Sequence, residues 1–583
     1  MMSQVTDVEI PIFWIVLVAY LGVLVAFGIY SKKRTKSVED YLIAGKSIGP
    51  VLLGMSFGVT YFSSVLVIGG GGQAFMWGLG AIWVASINVL VGIFLVFMLF
   101  GRRTKIMSDQ CKAVTIPQLL AFRYQDKNYQ VFLGLVIMFF EMIYLVSVYT
   151  GLAKLLTLLT PHGTQAEADI AYLIGIALCG GITIFYLVFG GSIGAIISDA
   201  FESIIMLAGI LLVTIIGIVS VGGIDGLIAG LRIAETGPFI DGSGILPDRN
   251  APFTPNSLTE FVGFGGMGLI GFILVTSFGQ WGMPQALSRF FTAKSKNAIK
   301  YGLIVACSWA AIVAFFSYFN GAVANSYWFL HLGQPGINDN ILRIIKDMDM
   351  NIPLFLRSVM PAPIVAIFIA AVTSASMTTE EKVVLISASG FSQDVYQNLL
   401  ERGSRPKISD EKMLKVTKYA TIIVIIAALL FAIGKIDFVL TLCMFAWSAI
   451  ASAVLVPYVF GLFWKRGTAK AAWISGIVSL ATAIIWWFIF RFSNPAVELV
   501  FHDLRAVTLL TSPFKITLGD FYKIAGDNTS AMSKAGIHEF LVSQAVAIIV
   551  FVLVSLRTKA PRGEFVDAIF AAFNKRPAKL VKK

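Results

Sequence analysis

The chain has 583 residues, of which 57% are hydrophobic and only 13% charged, with a mean hydropathy of +0.82. A soluble domain averages about 25% charged residues, so too few polar groups remain to cover a globule of this size, and lipid must solvate most of the surface. The formal net charge of +12 is concentrated in short basic loops between apolar runs, which reads as a topology signal and argues against nucleic-acid binding.

In chain order, the N-terminal MMSQVTDVEIP carries Asp7 and Glu9 and no Lys or Arg, the reverse of a signal peptide, so the apolar run over 10–31 is expected to be an uncleaved span. A span needs about 20 apolar residues. Further segments read as spans at 50–75, 78–101, 130–158, 171–189, 192–221, 259–282, 300–327, 361–391, 412–434, 437–463, 471–490 and 539–557. The expected class is an all-α polytopic membrane protein with about 13 transmembrane helices. No segment resembles a soluble domain, and only the loops 222–258 and 491–538 are long.

Alternate loops are basic: KKRTK (32–36), RRTK (102–105), RFFTAKSKNAIK (289–300), ERGSRPK (401–407), WKR (464–466) and the C-terminal tail. The positive-inside rule makes these cytoplasmic, with the N-terminus outside, the C-terminus inside, and a cell-membrane location. His162, His331, His502 and His538 then fall in external loops, which weakens a histidine proton relay. Cys111, Cys179, Cys307 and Cys443 are scattered without CxxC spacing and read as small packing residues.

Setting aside the first span and the last two leaves ten, which divide into five (50–221) and five (259–463) of opposite topology. Residues 1–49 supply an extra helix and a cytoplasmic loop, 222–258 an external loop, and 464–583 two further helices, an external loop and a basic tail. The first span of each half contains a glycine-rich stretch, TYFSSVLVIGGGG (60–72) and FVGFGGMG (261–268). Glycine also permits close helix packing in membranes. Matched interruptions in two inverted halves, however, are a pointer to a transporter's binding site, and the matched placement favours that reading.

The stretch TSASMTTEEKVV (373–384) sits inside the span 361–391. Ala375, Thr378 and Thr379 stand at i, i+3 and i+4 and share one helix face. Two neighbouring hydroxyls suit a hard cation such as sodium, provided that carbonyls freed by an unwound helix, such as that in 50–75, complete the shell. The commoner alternative is a hydroxyl bonding back to its own helix. Glu380, Glu381 and Lys382 follow directly, and each unpaired charge near a bilayer centre costs roughly 2.5–3.5 kcal/mol.

The chain resembles the sodium/solute symporters, a family with a leucine-transporter-like inverted-repeat core. The motifs that carry the resemblance are VEDYLIAGKSIGP (38–50), GGSIGAIISDAFES (190–203), GMPQALSRFFTAKS (282–295), SASGFSQDVY (387–396) and GLFWKRGTAKAAWISG (461–476). The resemblance implies a sodium site built from the hydroxyls of Thr378 and Thr379 and the carbonyls of Ala375, Val59 and Phe62. A second sodium site of some relatives would use Asp199 with two hydroxyls, but Glu381 and Lys382 occupy those positions here. The Lys382 ammonium is therefore expected to fill that site, paired with Asp199 or Glu381, with Glu141 as another intramembrane acid. The alternative places Glu380 to Lys382 in a water-filled vestibule.

Solute contacts are expected from Tyr61, Ser63 and Ser64 on the first broken helix, from Thr276 and Gln280 on the sixth core helix, and from Trp447 as a stacking or gating group. Tyr61 replaces an aspartate of proline-type members, and Met283 stands where many relatives have glutamine. None of these side chains is strongly charged, so the expected solute is a small carboxylate, a monocarboxylate or amino acid, held by backbone N–H groups at a half-helix N-terminus. Other classes are a proton-coupled carrier using Glu141, Asp199, Glu381 or Lys382, and a solute sensor. No Ser–His–Asp set, HExxH or phosphate loop points to an enzyme, and no obligate protein partner is inferred.

Overall fold

In lipid every backbone N–H and C=O must be satisfied within the segment or by its immediate neighbours, so long apolar runs become helices. The computed structural model describes residues 9–62, 65–159, 165–236, 239–241, 244–246, 258–259, 266–346, 348–401, 408–434, 439–491, 508–510, 516–517, 538–561 and 563–574. Helix α1 (Glu9–Lys32) leads to α2 (Val38–Ile43), which starts at a capping box formed by Ser37 and Asp40. Helix α3 (Pro50–Tyr61) begins with proline, whose missing N–H costs nothing at that position, and stops at Phe62, which is extended (φ −119°, ψ 115°). Helix resumes as a wide π-type stretch, Val65–Gly70, and continues as α4 (Gly71–Trp77).

Helix α5 (Ile82–Ile87), a second π stretch (Asn88–Gly101) and α6 (Arg102–Cys111) run on without a break. The basic RRTK expected as a loop is thus helical. Lys105 is buried there because Asp109, one turn on, pairs with it at 3.0 Å. Helices α7 (Ile116–Tyr124), α8 (Lys127–Leu159) and α9 (Gln165–Ser220) follow. Helix α9 holds both predicted spans 171–189 and 192–221 and turns sharply at Gly191, with φ +52°. A Cβ there would lie 2.6 Å from the Tyr41 ring and 2.9 Å from its carbonyl oxygen, so only glycine fits.

Helix α10 (Gly223–Thr236) precedes a short antiparallel pair, β1 (Phe239–Asp241) and β2 (Gly244–Leu246), in which Ile240 faces Ile245. Helix α11 (Gly266–Phe278) tightens over Gly279–Gly282 and then breaks at Met283, held extended by the following Pro284. The short helices α12 (Pro284–Leu287) and α13 (Arg289–Thr292) lead to α14 (Lys296–Leu330), capped by Ser295. Then come α15 (Ile337–Lys346), α16 (Asn351–Val359) and α17 (Ala362–Ser389), which continues through a π stretch (Gly390–Gln397) into α18 (Asn398–Leu400). The rest is α19 (Asp410–Ala432), α20 (Val439–Phe463), α21 (Ala469–Arg491), the pair β3 (Thr508–Leu510) and β4 (Ile516–Thr517), α22 (Glu539–Arg557) and α23 (Gly563–Phe573).

Each of the thirteen predicted segments overlaps helix among the described residues, with 63–64, 260–265 and 437–438 lying outside them. Among the described residues nine helical runs are long and apolar enough to cross a membrane, and Val18–Lys32, Pro50–Thr60 and Leu269–Gly282 are shorter apolar ones. In the most apolar window of each run, 89% of α20 and 78% of α17 is buried, against 33% for α19 and α21, so the first two form the centre. Helix α17 packs on α8 and α9, α3 on α14, and α1 against α9 and α17. The outward faces stay apolar: Ile215, Val219, Ile304, Ile423 and Leu430 are exposed, as lipid contact requires.

The glycine run in the first broken helix is not itself the break. Gly70, Gly71 and Gly72 are helical, and a Cβ on Gly72 would sit 2.4 Å from the Met348 carbonyl oxygen. Close packing is the role of these glycines, and the interruption lies at Phe62, with residues 63 and 64 outside the described set. In the second half, residues 261–265 also lie outside it, and the described interruption is at Met283.

Candidate functional site

The expected ion ligands converge where α3 ends against the middle of α17. The hydroxyl of Thr378 donates to the Ala375 carbonyl at 2.9 Å and lies 3.4 Å from the Val59 carbonyl on α3. The hydroxyl of Thr379 is 3.4 Å from the same Ala375 oxygen. Thr378 therefore makes the back bond that sequence reasoning offered as its alternative, and also reaches across to α3. Four oxygens from two helices meet at one buried point, and Phe62, the helix-ending residue, donates its N–H to Val59 at 3.3 Å. A hard cation entering here would replace hydroxyl–carbonyl hydrogen bonds with oxygen ligation.

One turn further along α17 lies a layer of buried charge. Lys382 forms an ion pair with Asp199 of α9, and the Ser56 hydroxyl of α3 donates to the other Asp199 oxygen at 2.5 Å. Both partners are sealed, at 1% and 0% exposure, so the vestibule alternative does not describe this state. Glu381 is held separately: Tyr186 and Ser198 of α9 donate to its Oε1 at 2.5 and 3.0 Å. Tyr20 of α1 donates to Glu202 at 2.7 Å. Glu380 is buried beside Tyr149 and Thr183, and Arg289 is buried within electrostatic reach of Asp199 and Glu381. Burial lowers the basicity of the Arg289 guanidinium, and the two carboxylates oppose that shift. Glu141 of α8 stands apart, fully buried, with no hydrogen-bond partner on either oxygen among the described residues.

A small cavity of about 30 Å³ lies beside the break in the first core helix. Val65, Leu66 and Gly70 form one wall, Phe272 and Thr276 another, and Tyr144, Tyr318, Cys443, Met444 and Trp447 the remainder, with Asn88 projecting between them. The Thr276 and Ser277 hydroxyls lie 2.9 and 2.6 Å from the Asn88 Oδ1, and Thr276 also reaches the Phe272 carbonyl at 2.8 Å. Trp447 meets Tyr144 edge-on, with ring centroids 5.7 Å apart. Thr276 and Trp447, two of the expected solute contacts, thus both line the cavity. Gln280 does not line it; it is buried in the turn after α11, where its carbonyl accepts from the Met283 N–H at 3.2 Å. The Tyr61 side chain, Ser63 and Ser64 lie outside the described residues.

Asn88, Tyr144 and Tyr318 escaped sequence reasoning. For Asn88 a signal existed: it is a lone amide within an otherwise apolar span, where polar groups are costly and therefore tend to serve a purpose.

A discontinuous helix, a hydroxyl-bearing partner across from it and a cavity beside the break are the arrangement of a secondary transporter. The model of the sodium:solute symporter family matches residues 41–479, and the chain belongs to that family. The sodium/proline symporters of Staphylococcus aureus strains JH9 and JH1 are each 26% identical over 480 residues, covering 81% of this chain and 85% of theirs. A solved Na+-coupled sialic acid symporter in a substrate-bound outward-open state shares the fold, with a TM-score of 0.68 and 19% identity over 94% of this chain and 98% of its own. The protein is a multi-pass membrane symporter, not an enzyme, and sodium is its co-transported ion.

Proposed function

We propose that this symporter imports a small carboxylate, a monocarboxylate or an amino acid. The observation that carries the reading is the cavity lining: among the described residues it offers an amide, hydroxyls and aromatic faces but no Asp, Glu, Lys or Arg. A sugar would call for more amide and carboxylate partners than these. A carboxylate needs only donors, and the helix that resumes at Val65 brings the positive end of its dipole to the cavity wall. Relatives at 26% identity bear the name of proline, itself a carboxylate.

Sodium binds between Val59, Phe62, Ala375, Thr378 and Thr379, bridging α3 and α17, and the Lys382 ammonium fills the second cation position against Asp199. One sodium is then carried per solute. Sodium favours the solute-competent state through its differential affinity, and the membrane potential adds about 2.3 kcal/mol per charge per 100 mV. Basic loops place the N-terminus outside and the C-terminus in the cytoplasm of a cell-membrane protein. A thermal-shift screen of purified protein against short monocarboxylates, amino acids and sugars, with sodium or choline, tests the reading. Carboxylates should raise Tm only with sodium, and their neutral amides should not. Stabilisation by a sugar and not by any carboxylate overturns it.

A further inference from the structure

We propose that Glu202 is a proton-binding site, enclosed between the first helix and the transporter core and occupied by a proton at neutral pH. The proposal goes beyond the sodium and solute assignments: Glu202 and Tyr20 belong to neither, although Lys382 and Asp199 of the second cation position lie in the same buried group.

It begins with a charge count. Asp199 and Glu202 of α9, Glu381 and Lys382 of α17 and Arg289 of α13 form one buried, electrostatically connected group. Fully ionised, it holds three negative and two positive charges. One negative charge would remain in a region sealed from water, and a group so placed takes up a proton instead. Glu380, also buried, adds only further acid.

Hydrogen bonding then selects the carboxyl. Asp199 has the Lys382 ammonium and the Ser56 hydroxyl. Glu381 has two hydroxyl donors, Tyr186 and Ser198, and lies within reach of both cations. Among the described residues Glu202 has a single donor, the Tyr20 hydroxyl, against two for Glu381, and the Oε2 atoms of both are buried without a hydrogen-bond partner. It also stands three residues from Asp199, on the same helix face, where like charges repel. Of the three it is the carboxyl least supported as an anion.

The groups facing it are Tyr20 from α1, Asp199 from its own helix, Glu380, Glu381 and Lys382 from α17, and Arg289 behind Asp199. Helix α3 contributes the neutral Ser56, and α14 the Trp309 indole, which donates to the Ser203 carbonyl at 3.1 Å. Among the described residues no three His, Cys, Asp or Glu side chains converge in a metal cage. The proton enters from water onto the carboxylate and returns to water. Losing it would set a second carboxylate beside Lys382, in competition with Asp199, one turn from Thr378 and Thr379.

The test is an infrared pH titration of the purified full-length protein without sodium or solute, following the C=O band of protonated carboxyls. Wild type should show a component lost only at alkaline pH, absent from Glu202→Gln and shifted in Tyr20→Phe. Spectra of Glu202→Gln that superimpose on wild type overturn the proposal. Should that variant fail to fold, an unshifted band in Tyr20→Phe does so. Loss of the component on adding sodium at neutral pH would make the ligand a metal ion and would also overturn it. Because neither sodium nor solute is needed for the expected signal, a wrong solute class leaves this result unaffected.

Discussion

Lys382 of α17 and Asp199 of α9 form an ion pair shut away from solvent in the interior of a membrane protein. Three consecutive ionisable residues in a span look prohibitive in the sequence. In the fold each has a separate environment: the ammonium meets Asp199, Glu381 takes the hydroxyls of Tyr186 and Ser198, and Glu380 faces Tyr149 and Thr183. The pair also joins α17 to α9 just below the proposed sodium position, so the helix that bears Thr378 and Thr379 is held by a fixed internal cation.

Breaking that pair from one side should therefore cost more than removing it whole. Lys382→Met leaves Asp199 buried and uncompensated, and about 3–5 kcal/mol of stability should be lost. The double variant Lys382→Met/Asp199→Asn should recover most of the deficit. Thermal unfolding of the three variants measures this. A double variant no more stable than the single one would mean that the pair is not the relevant unit.

Replacing Thr378 and Thr379 together by alanine removes two of the proposed ligand oxygens and leaves the helix intact, since alanine is the better helix former. Each hydrogen-bond-like contact to a charged group is worth about 1.5–3 kcal/mol. The sodium concentration for half-maximal uptake should thus rise at least tenfold. Uptake with an unaltered sodium dependence in proteoliposomes would rule the position out.

Much of this was legible in the sequence, because apolar length and charge spacing are local properties. The helical segments follow from apolar length, and the shared face of Ala375, Thr378 and Thr379 from helical periodicity. The Lys382–Asp199 pairing was one of two alternatives, with Lys382–Glu381, that the resemblance to the sodium/solute symporters implied, and the fold realises the first. What periodicity could not give was where a helix breaks. The conspicuous glycines at 70–72 are packing surfaces, and the actual interruption at Phe62 has no glycine to mark it. Gln280 falls in the turn over Gly279–Gly282 and does not line the cavity that Thr276 lines, because periodicity does not show where the helix tightens. Asn88 was overlooked because its role arises from two hydroxyls on a helix nearly two hundred residues away.

The packing role of the glycines gives a prediction of its own. A methyl group at position 72 would press on the Met348 carbonyl oxygen at 2.4 Å, and that oxygen belongs to backbone, not to a flexible side chain. Gly72→Ala should cost about 1–3 kcal/mol by overpacking, read as a lowered Tm. Gly181, which has open space around it, provides the control: Gly181→Ala should be neutral or slightly stabilising.

Asn88 offers a test of the solute's charge that does not require knowing the solute. Its side chain is buried, lines the cavity and is bound by Thr276 and Ser277, so Asn88→Asp changes charge with almost no change in shape. Two hydroxyl donors already in place would keep the new carboxylate ionised. A carboxylate solute bound about 5 Å away would then be repelled by about 3 kcal/mol at an effective dielectric of about 20. That corresponds to an increase of roughly a hundredfold in the solute concentration for half-maximal uptake. Asn88→Ala removes the amide without adding charge and should cost no more than about tenfold, the worth of one hydrogen bond. The ratio between the two variants isolates the electrostatic part. A neutral solute would show the same loss in both, and a cationic one would bind better to Asn88→Asp than to wild type.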